Sequence, residues 1–166
     1  MKIKIDTLEF NSDYFYIQSD KIVEKIIFNN RTFYSKYEKI NTPINKKIIE
    51  QYKKDELTLA LPLIEDDIVN YLVIEYYQED WQSFYSLIKH LFKTLDISNY
   101  ITYKSPNKEP LQIFIKSTNT PLDIAYERVD RIKQILELKS KKSYRIFPNK
   151  NSPKNYNIIR FPLNIL

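Results

Sequence analysis

No glycine occurs anywhere in this 166-residue chain. At an average usage of about 7%, roughly a dozen would be expected. Glycine enters φ > 0 freely, and its missing Cβ lets backbone N–H groups close on a phosphate. Without it, a Walker loop, a G-x-G-x-x-G dinucleotide turn, a kinase phosphate loop and a G-x-S-x-G nucleophile elbow are all excluded. The chain also lacks cysteine and has one histidine, His90. Histidine/cysteine metal sites and Cys–His nucleophiles are therefore excluded as well. No metal or other cofactor is expected.

Hydrophobic residues make up 43% and charged residues 28% of the chain. That balance and length suit one globular domain spanning residues 1–166. The start, Met1 to Asp6, alternates polar and apolar residues and offers no signal-like apolar run. Nothing approaches the apolar stretch of about 20 residues that a membrane helix needs. A cytoplasmic location without a membrane partner is the expectation.

The formal charge of +5 is weak evidence alone, because the excess of Lys, Asn, Ile and Tyr is what A/T-rich codons produce. Its distribution says more. From Lys139 to Leu166 there are seven cations (Lys139, Lys141, Lys142, Arg145, Lys150, Lys154 and Arg160) and no acid. Residues 1–138 hold all 21 acids and the other 19 cations. Such asymmetry points to a polyanion-facing end. Tyr144, Phe147, Tyr156 and Phe161 interleave with these cations, and phosphate neutralisation beside stacking rings is what single-strand binding uses. The competing reading makes the rings core strand residues and the lysines ordinary solvated charges.

The apolar pattern predicts an α+β or mixed α/β fold. Ile3, Ile5 and Leu8 suggest a short first strand. Residues 21–28 and 31–37 read as a hairpin around Asn29-Asn30, because asparagine tolerates the left-handed region, with a helical reading of 21–28 left open. Thr42-Pro43 reads as a helix start. Residues 57–63 and 70–77 read as strands, the second apolar enough to be central. Asp80 precedes a helix whose stripe is Trp81, Phe84, Ile88, Leu91, Phe92 and Leu95. Strands at 100–104 and 111–116 flank a turn over 105–110. Thr120-Pro121, with Asp123 completing a capping box, opens a second long helix. Short strands near 144–147 and 158–161 close the chain.

Few residues suggest chemistry. Glu65-Asp66-Asp67, Glu75 and Glu79-Asp80 could offer oxygen ligands to Mg²⁺ or Mn²⁺. The favoured reading makes the first group a solvated turn and Asp80 a helix cap. Glu75 lies in a strand otherwise apolar on both faces, where a carboxylate needs a partner such as Arg128, Arg145 or Arg160. His90 flanks an apolar stripe and reads as a boundary histidine.

Three segments carry a resemblance: NYLVIEYYQEDW (70–81), ITYKSPNKEPLQIFI (101–115) and SYRIFPNKNSPKNYNIIRFPLNIL (143–166). In order and spacing they resemble the archaeo-eukaryotic primase (prim-pol) superfamily, in its bacterial and plasmid branches, and a small bacterial family of that fold. Those proteins carry a strand ending in Asp-x-Asp, a Ser-x-Gly-x-x-His-type turn and a basic closing segment. The resemblance implies a prim-pol-like sheet with two main helices over about 57–166, with a β-rich N-terminal extension, 1–56, packed on it. Glu75 stands where the first metal-binding aspartate would be, and Tyr77 replaces the second. Ser105 survives from the turn, while Pro110 or Leu111 takes the histidine's place. Ser143-Tyr144-Arg145 lacks the acid that some relatives carry there. Two-metal phosphoryl transfer needs carboxylates on both ions, so the resemblance implies a relative without catalysis.

Three readings of function follow. The first is a non-catalytic module that binds single-stranded or duplex nucleic acid through Lys139, Lys141, Lys142, Tyr144, Arg145, Lys150, Lys154, Tyr156 and Arg160. The second is a protein-interaction module. The third is a metal-dependent nucleotidyltransferase or nuclease built on Glu75 and the 65–67 acids.

Overall fold

The computed structural model describes residues 2–105 and 110–166. The fold is α+β, with three α-helices and antiparallel sheets. The chain divides into two compact units: Met1–Glu65 with Lys150–Phe161, and Asp66–Asn149 with Pro162–Leu166. The division therefore falls at Glu65/Asp66, and residues 150–161 return to the first unit.

The first unit opens with strands β1 (Lys2–Ile5) and β2 (Leu8–Asn11), paired as a hairpin. Strand β3 (Phe15–Gln18) follows, then β4 (Glu24–Phe28), β5 (Arg31–Ser35) and β6 (Tyr37–Ile40). After helix α1 (Lys46–Lys53) comes β7 (Leu59–Pro62). The C-terminal strand β12 (Ile158–Arg160) completes a sheet of order β12-β7-β3-β6. Leu59, Ala60 and Leu61 are wholly buried because β7 is inside that sheet. Tyr52 of α1 meets Phe161 edge-on at 6.1 Å.

The second unit is a sheet of order β11-β8-β10-β9, made of β8 (Ile68–Tyr76), β9 (Tyr100–Tyr103), β10 (Leu111–Pro121) and β11 (Arg145–Phe147). Helices α2 (Trp81–Thr94) and α3 (Leu122–Lys139) cover one face. Alternation sends Leu72, Ile74 and Tyr76 to that face, opposite Ile115, Ile113 and Leu111. Phe84 of α2 stacks on Tyr76 at 4.2 Å, and Phe92 meets Tyr100 at 4.9 Å. From α3, Ile132 shares a pocket wall with Leu72 and Ile115. Tyr71, Val73 and Glu75 alternate onto the other face. The expected stripe of α2 is buried at Phe84, Ile88, Leu91 and Phe92, while Trp81 and Leu95 are half-buried. Each fully buried apolar side chain of this size contributes about 1.5–3 kcal/mol.

Turns are where the glycine-free sequence shows its solution. Among the described residues, φ is positive at Asp6, Asn29, Asn30, Asp55, Asp66, Asp67, Asp96, Asn119 and Asn164, every one an asparagine or aspartate. Asn29 (φ 51°) and Asn30 (φ 59°) join β4 to β5 with Phe28 opposite Arg31, the expected hairpin. Asp96 ends α2: Ile97 N–H donates to the Phe92 carbonyl at 2.8 Å and Asp96 N–H to the Lys93 carbonyl at 3.3 Å. This double closure is a Schellman motif, with aspartate where glycine is usual. Asp55 closes α1 in the same way, through Glu56 to Gln51 at 2.9 Å and Asp55 to Tyr52 at 3.1 Å.

Two helix starts differ from expectation. Thr42-Pro43 does not open α1. Asn45 does, its Oδ1 accepting from Ile48 N–H at 3.0 Å. At α3 the expected capping box does not form, because Thr120 belongs to the end of β10. Its hydroxyl donates to the Ser117 carbonyl at 2.6 Å, across a shift in register between Lys116 and Thr120. Leu122 N–H is satisfied instead by the Asp67 carbonyl at 2.9 Å. Of the predicted 105–110 turn, residues 106–109 lie outside the described residues.

Asn30→Ala is expected to lower stability by about 1 kcal/mol, since alanine resists the left-handed region, while Asn30→Gly should hold or raise it. Urea midpoints at unchanged m-value test this. Equal midpoints for the two variants would mean that the turn does not hold Asn30 left-handed.

Candidate nucleic-acid interface

The basic C-terminal end is one stretch of sequence and two pieces of structure. Lys139, Lys141, Lys142, Tyr144 and Arg145 belong to the second unit, and Lys150, Lys154, Tyr156 and Arg160 to the first. In the first unit, Lys154 and Tyr156 lie on a short 3-10 turn and Arg160 ends β12.

The aromatic residues are packed. Tyr144 stacks on Phe84 at 6.1 Å with 24° between the rings. Its hydroxyl is buried without a hydrogen-bond partner among the described residues. Burial, and secondarily the charge of Glu137, pushes this phenol up to about 12. The Tyr156 hydroxyl is likewise buried and unpartnered among the described residues, and burial again raises its pKa ahead of the charge of Glu24.

Two of the cations are held in place. Lys142 Nζ lies 2.7 Å from Asp80 Oδ2 and donates to Ser83 Oγ at 3.1 Å. The other Asp80 oxygen accepts from the Tyr76 hydroxyl at 2.5 Å. Asp80 therefore ties β8 to the segment before β11 and forms no side-chain cap on α2. The hydrogen bond from Lys142, followed by that from Tyr76, holds its carboxyl below the usual range. The Arg145 guanidinium lies over the Tyr77 ring at 5.0 Å.

What the structure does bring together is a cleft of about 330 Å³ at the end of α3, lined by Lys133, Glu137, Ser140, Lys141, Lys142, Ser143 and Tyr144. It exists because α3 stops at Lys139 and Ser140 turns extended (φ −151°, ψ 143°). Three ammonium groups and two serine hydroxyls border it against one carboxylate. Lys133 and Lys141 have no ion-pair partner among the described residues. This is the chemistry of a phosphate seat, in which lysine acts as a mobile point charge and hydroxyls complete the hydrogen bonding. Lys133 and Glu137 were not expected from sequence. The available signal was their i, i+4 spacing at the edge of the buried stripe of α3, with Lys133 four residues after Val129 and three before Leu136.

The positions matched to prim-pol chemistry have structural tasks. Glu75 is 2% exposed, and its Oε2 accepts from Gln112 Nε2 at 3.3 Å and the Tyr77 hydroxyl at 3.5 Å. Arg145 and Gln112 flank Glu75 in register on the neighbouring strands. Ser105 is buried. Its hydroxyl donates to the Leu163 carbonyl at 3.4 Å and accepts from Asn164 Nδ2 at 3.3 Å, fastening the last residues of the chain. Of the expected arginine partners of Glu75, Arg128 instead donates to Ser117 Oγ at 2.7 Å. Asp66 and Asp67 form the left-handed turn into β8, and Glu65 accepts from Asn11. His90 is exposed. Among the described residues, no three His, Cys, Asp or Glu side chains gather as a metal site, and no helix is long and apolar enough to cross a membrane.

A family model described as a domain of unknown function (DUF1882) matches residues 1–70. No curated protein matches the chain.

The Asp80 contacts make a pH prediction. Folding lowers the Asp80 pKa, so its contribution is complete above the unfolded carboxylate value of about 4. It is lost as pH falls through the lowered value. Asp80→Asn should flatten that part of the acid limb of stability, measured by urea denaturation between pH 2 and 5. An acid limb identical to that of the wild type would count against the Lys142–Asp80–Tyr76 linkage.

Proposed function

We propose that this chain is a non-catalytic module of primase-like build that binds the phosphate backbone of nucleic acid. The seat is the cleft at the end of α3, where Lys133, Lys141 and Lys142 border one volume with Ser140 and Ser143. That convergence is the observation that carries the reading. The absence of catalysis is supported by Glu75 and Ser105 being engaged in hydrogen bonds within the fold. Because the Tyr144 ring is packed on Phe84, affinity comes from charge and not from base stacking. Duplex DNA, with its denser phosphates, should bind at least as tightly as a single strand.

Fluorescence anisotropy with labelled duplex and single-stranded DNA over a salt series tests this. Each phosphate neutralised adds about 0.9 (duplex) or 0.7 (single strand) to the fall of log K with log salt. Reversing both Lys133 and Lys141 to glutamate is expected to weaken binding at least tenfold and lower that slope by one to two contacts. Unchanged affinity and slope would overturn the proposal.

A second reading, docking of a protein partner, is favoured by the β4–β5 hairpin. Ile27 and Tyr34 in it are 74% and 58% exposed, Ile22 just before it is 56% exposed, and the hairpin forms a two-stranded sheet of its own. Apolar exposure of this kind marks interaction surfaces. Ile27→Asp with Tyr34→Ser should abolish capture of a partner that the wild type retains, with the fold unchanged by circular dichroism. A capture profile identical for both proteins would remove this reading.

A further inference from the structure

The second unit holds another pocket, of about 350 Å³, on the helical face of its sheet. Its floor is Leu72, Ile115 and Ile132, all nearly buried, and its rim carries Arg128 and Arg131, three residues apart on α3. Arg128 is positioned by neutral hydroxyls, Ser117 Oγ at 2.7 Å and Thr120 Oγ1 at 3.4 Å. Those oxygens are themselves hydrogen-bonded to each other at 2.7 Å, so the guanidinium is fixed without being neutralised. Arg131 has no ion pair among the described residues. The single acid of the lining is Asp96, whose backbone makes the left-handed end of α2.

We propose that this pocket binds a small organic anion: one phosphate or carboxylate head on an apolar body. Two guanidinium groups three residues apart on one helix, against a single acid, leave a net positive rim that an anion would neutralise. Arginine suits such a head, because its planar fork meets carboxylate or phosphate oxygens two at a time. The floor supplies the other half of the recognition. An inorganic anion would leave Leu72, Ile115 and Ile132 unused, and a neutral hydrocarbon would leave the rim uncompensated. The volume lies at the lower end of the range for small-molecule sites, about 300–1,000 Å³. This site is separate from the lysine cleft, with which it shares no lining residue.

The test is titration of the full chain by isotope-edited NMR with matched pairs: AMP against adenosine, octanoate against octanol, and inorganic phosphate alone. At least one organic anion is expected to bind at least tenfold more tightly than both its neutral counterpart and inorganic phosphate, shifting the amides of residues 115–117 and 128–132. AMP as the winner assigns a phosphate head, and octanoate a carboxylate. Arg131→Glu should weaken that binding at least tenfold. Arg131 is exposed and has no side-chain bond among the described residues, so the variant keeps its fold. Lys47→Glu, the same charge change on exposed α1, should leave binding unaltered. If no anion outbinds its neutral counterpart, or if Arg131→Glu binds as the wild type does, the proposal is overturned.

Discussion

A backbone that must turn left-handed without glycine imposes the constraint on which the rest of this fold hangs. A Cβ in that region clashes with the following carbonyl, and only asparagine and aspartate, whose short side chains bond locally, enter it at modest cost. Nine described positions meet that requirement, and they sit at decisive places. Asp6 reverses β1 into β2, and Asn29-Asn30 reverse β4 into β5. Asp55 and Asp96 stop the first two helices. Asp66-Asp67 deliver the chain into β8, the strand paired with both β10 and β11. Each choice fixes which side chains of the next element face inward, because a slip of one residue would exchange the faces of a strand.

Once β8 is placed, its alternation sorts the second unit. One set of side chains receives the rings of α2 and the stripe of α3. The other includes Glu75, in a cross-strand row with Arg145 and Gln112. A carboxylate at 2% exposure is tolerated because hydrogen bonds reach it. The same economy applies to the cations. Lys142 is used to join Asp80, and Arg128 to brace a register shift, while Lys133, Lys141, Lys116 and Arg131 remain without carboxylate partners among the described residues.

Much of this was legible locally. The Asn29-Asn30 turn, the apolar run of β8 and the period of α2 are short-range signals, and each yields the element found. The misses are tertiary. Thr120 looks like a helix cap from its neighbours alone, but the register shift in β10 claims its hydroxyl. Residues 150–161 return to pair with β7, a partner about 100 positions away that no local pattern announces. The candidate site divides in the same way. Lys141 and Lys142 were visible as charge, whereas Lys133 reaches the cleft only because α3 ends where it does. The interleaved rings were legible only as two alternatives, core residues or stacking platforms, and for Tyr144 the contact with Phe84 of α2 decides for packing.

An aspartate that turns a helix end is also a charge placed there. The carboxylates of Asp55 and Asp96 follow directly on the C-terminal ends of α1 and α2, where the helix macrodipole is already negative. A misplaced charge of that kind costs about 0.3–1 kcal/mol at low ionic strength. Lys53 and Lys93, in the last turns of the same helices, supply the opposite sign beside them. A helix stopped by glycine would carry one fewer charge at that end for the surrounding ions to screen. These two are stopped by a small electrostatic balance, so the composition of the surrounding solution acts on them through their last turns.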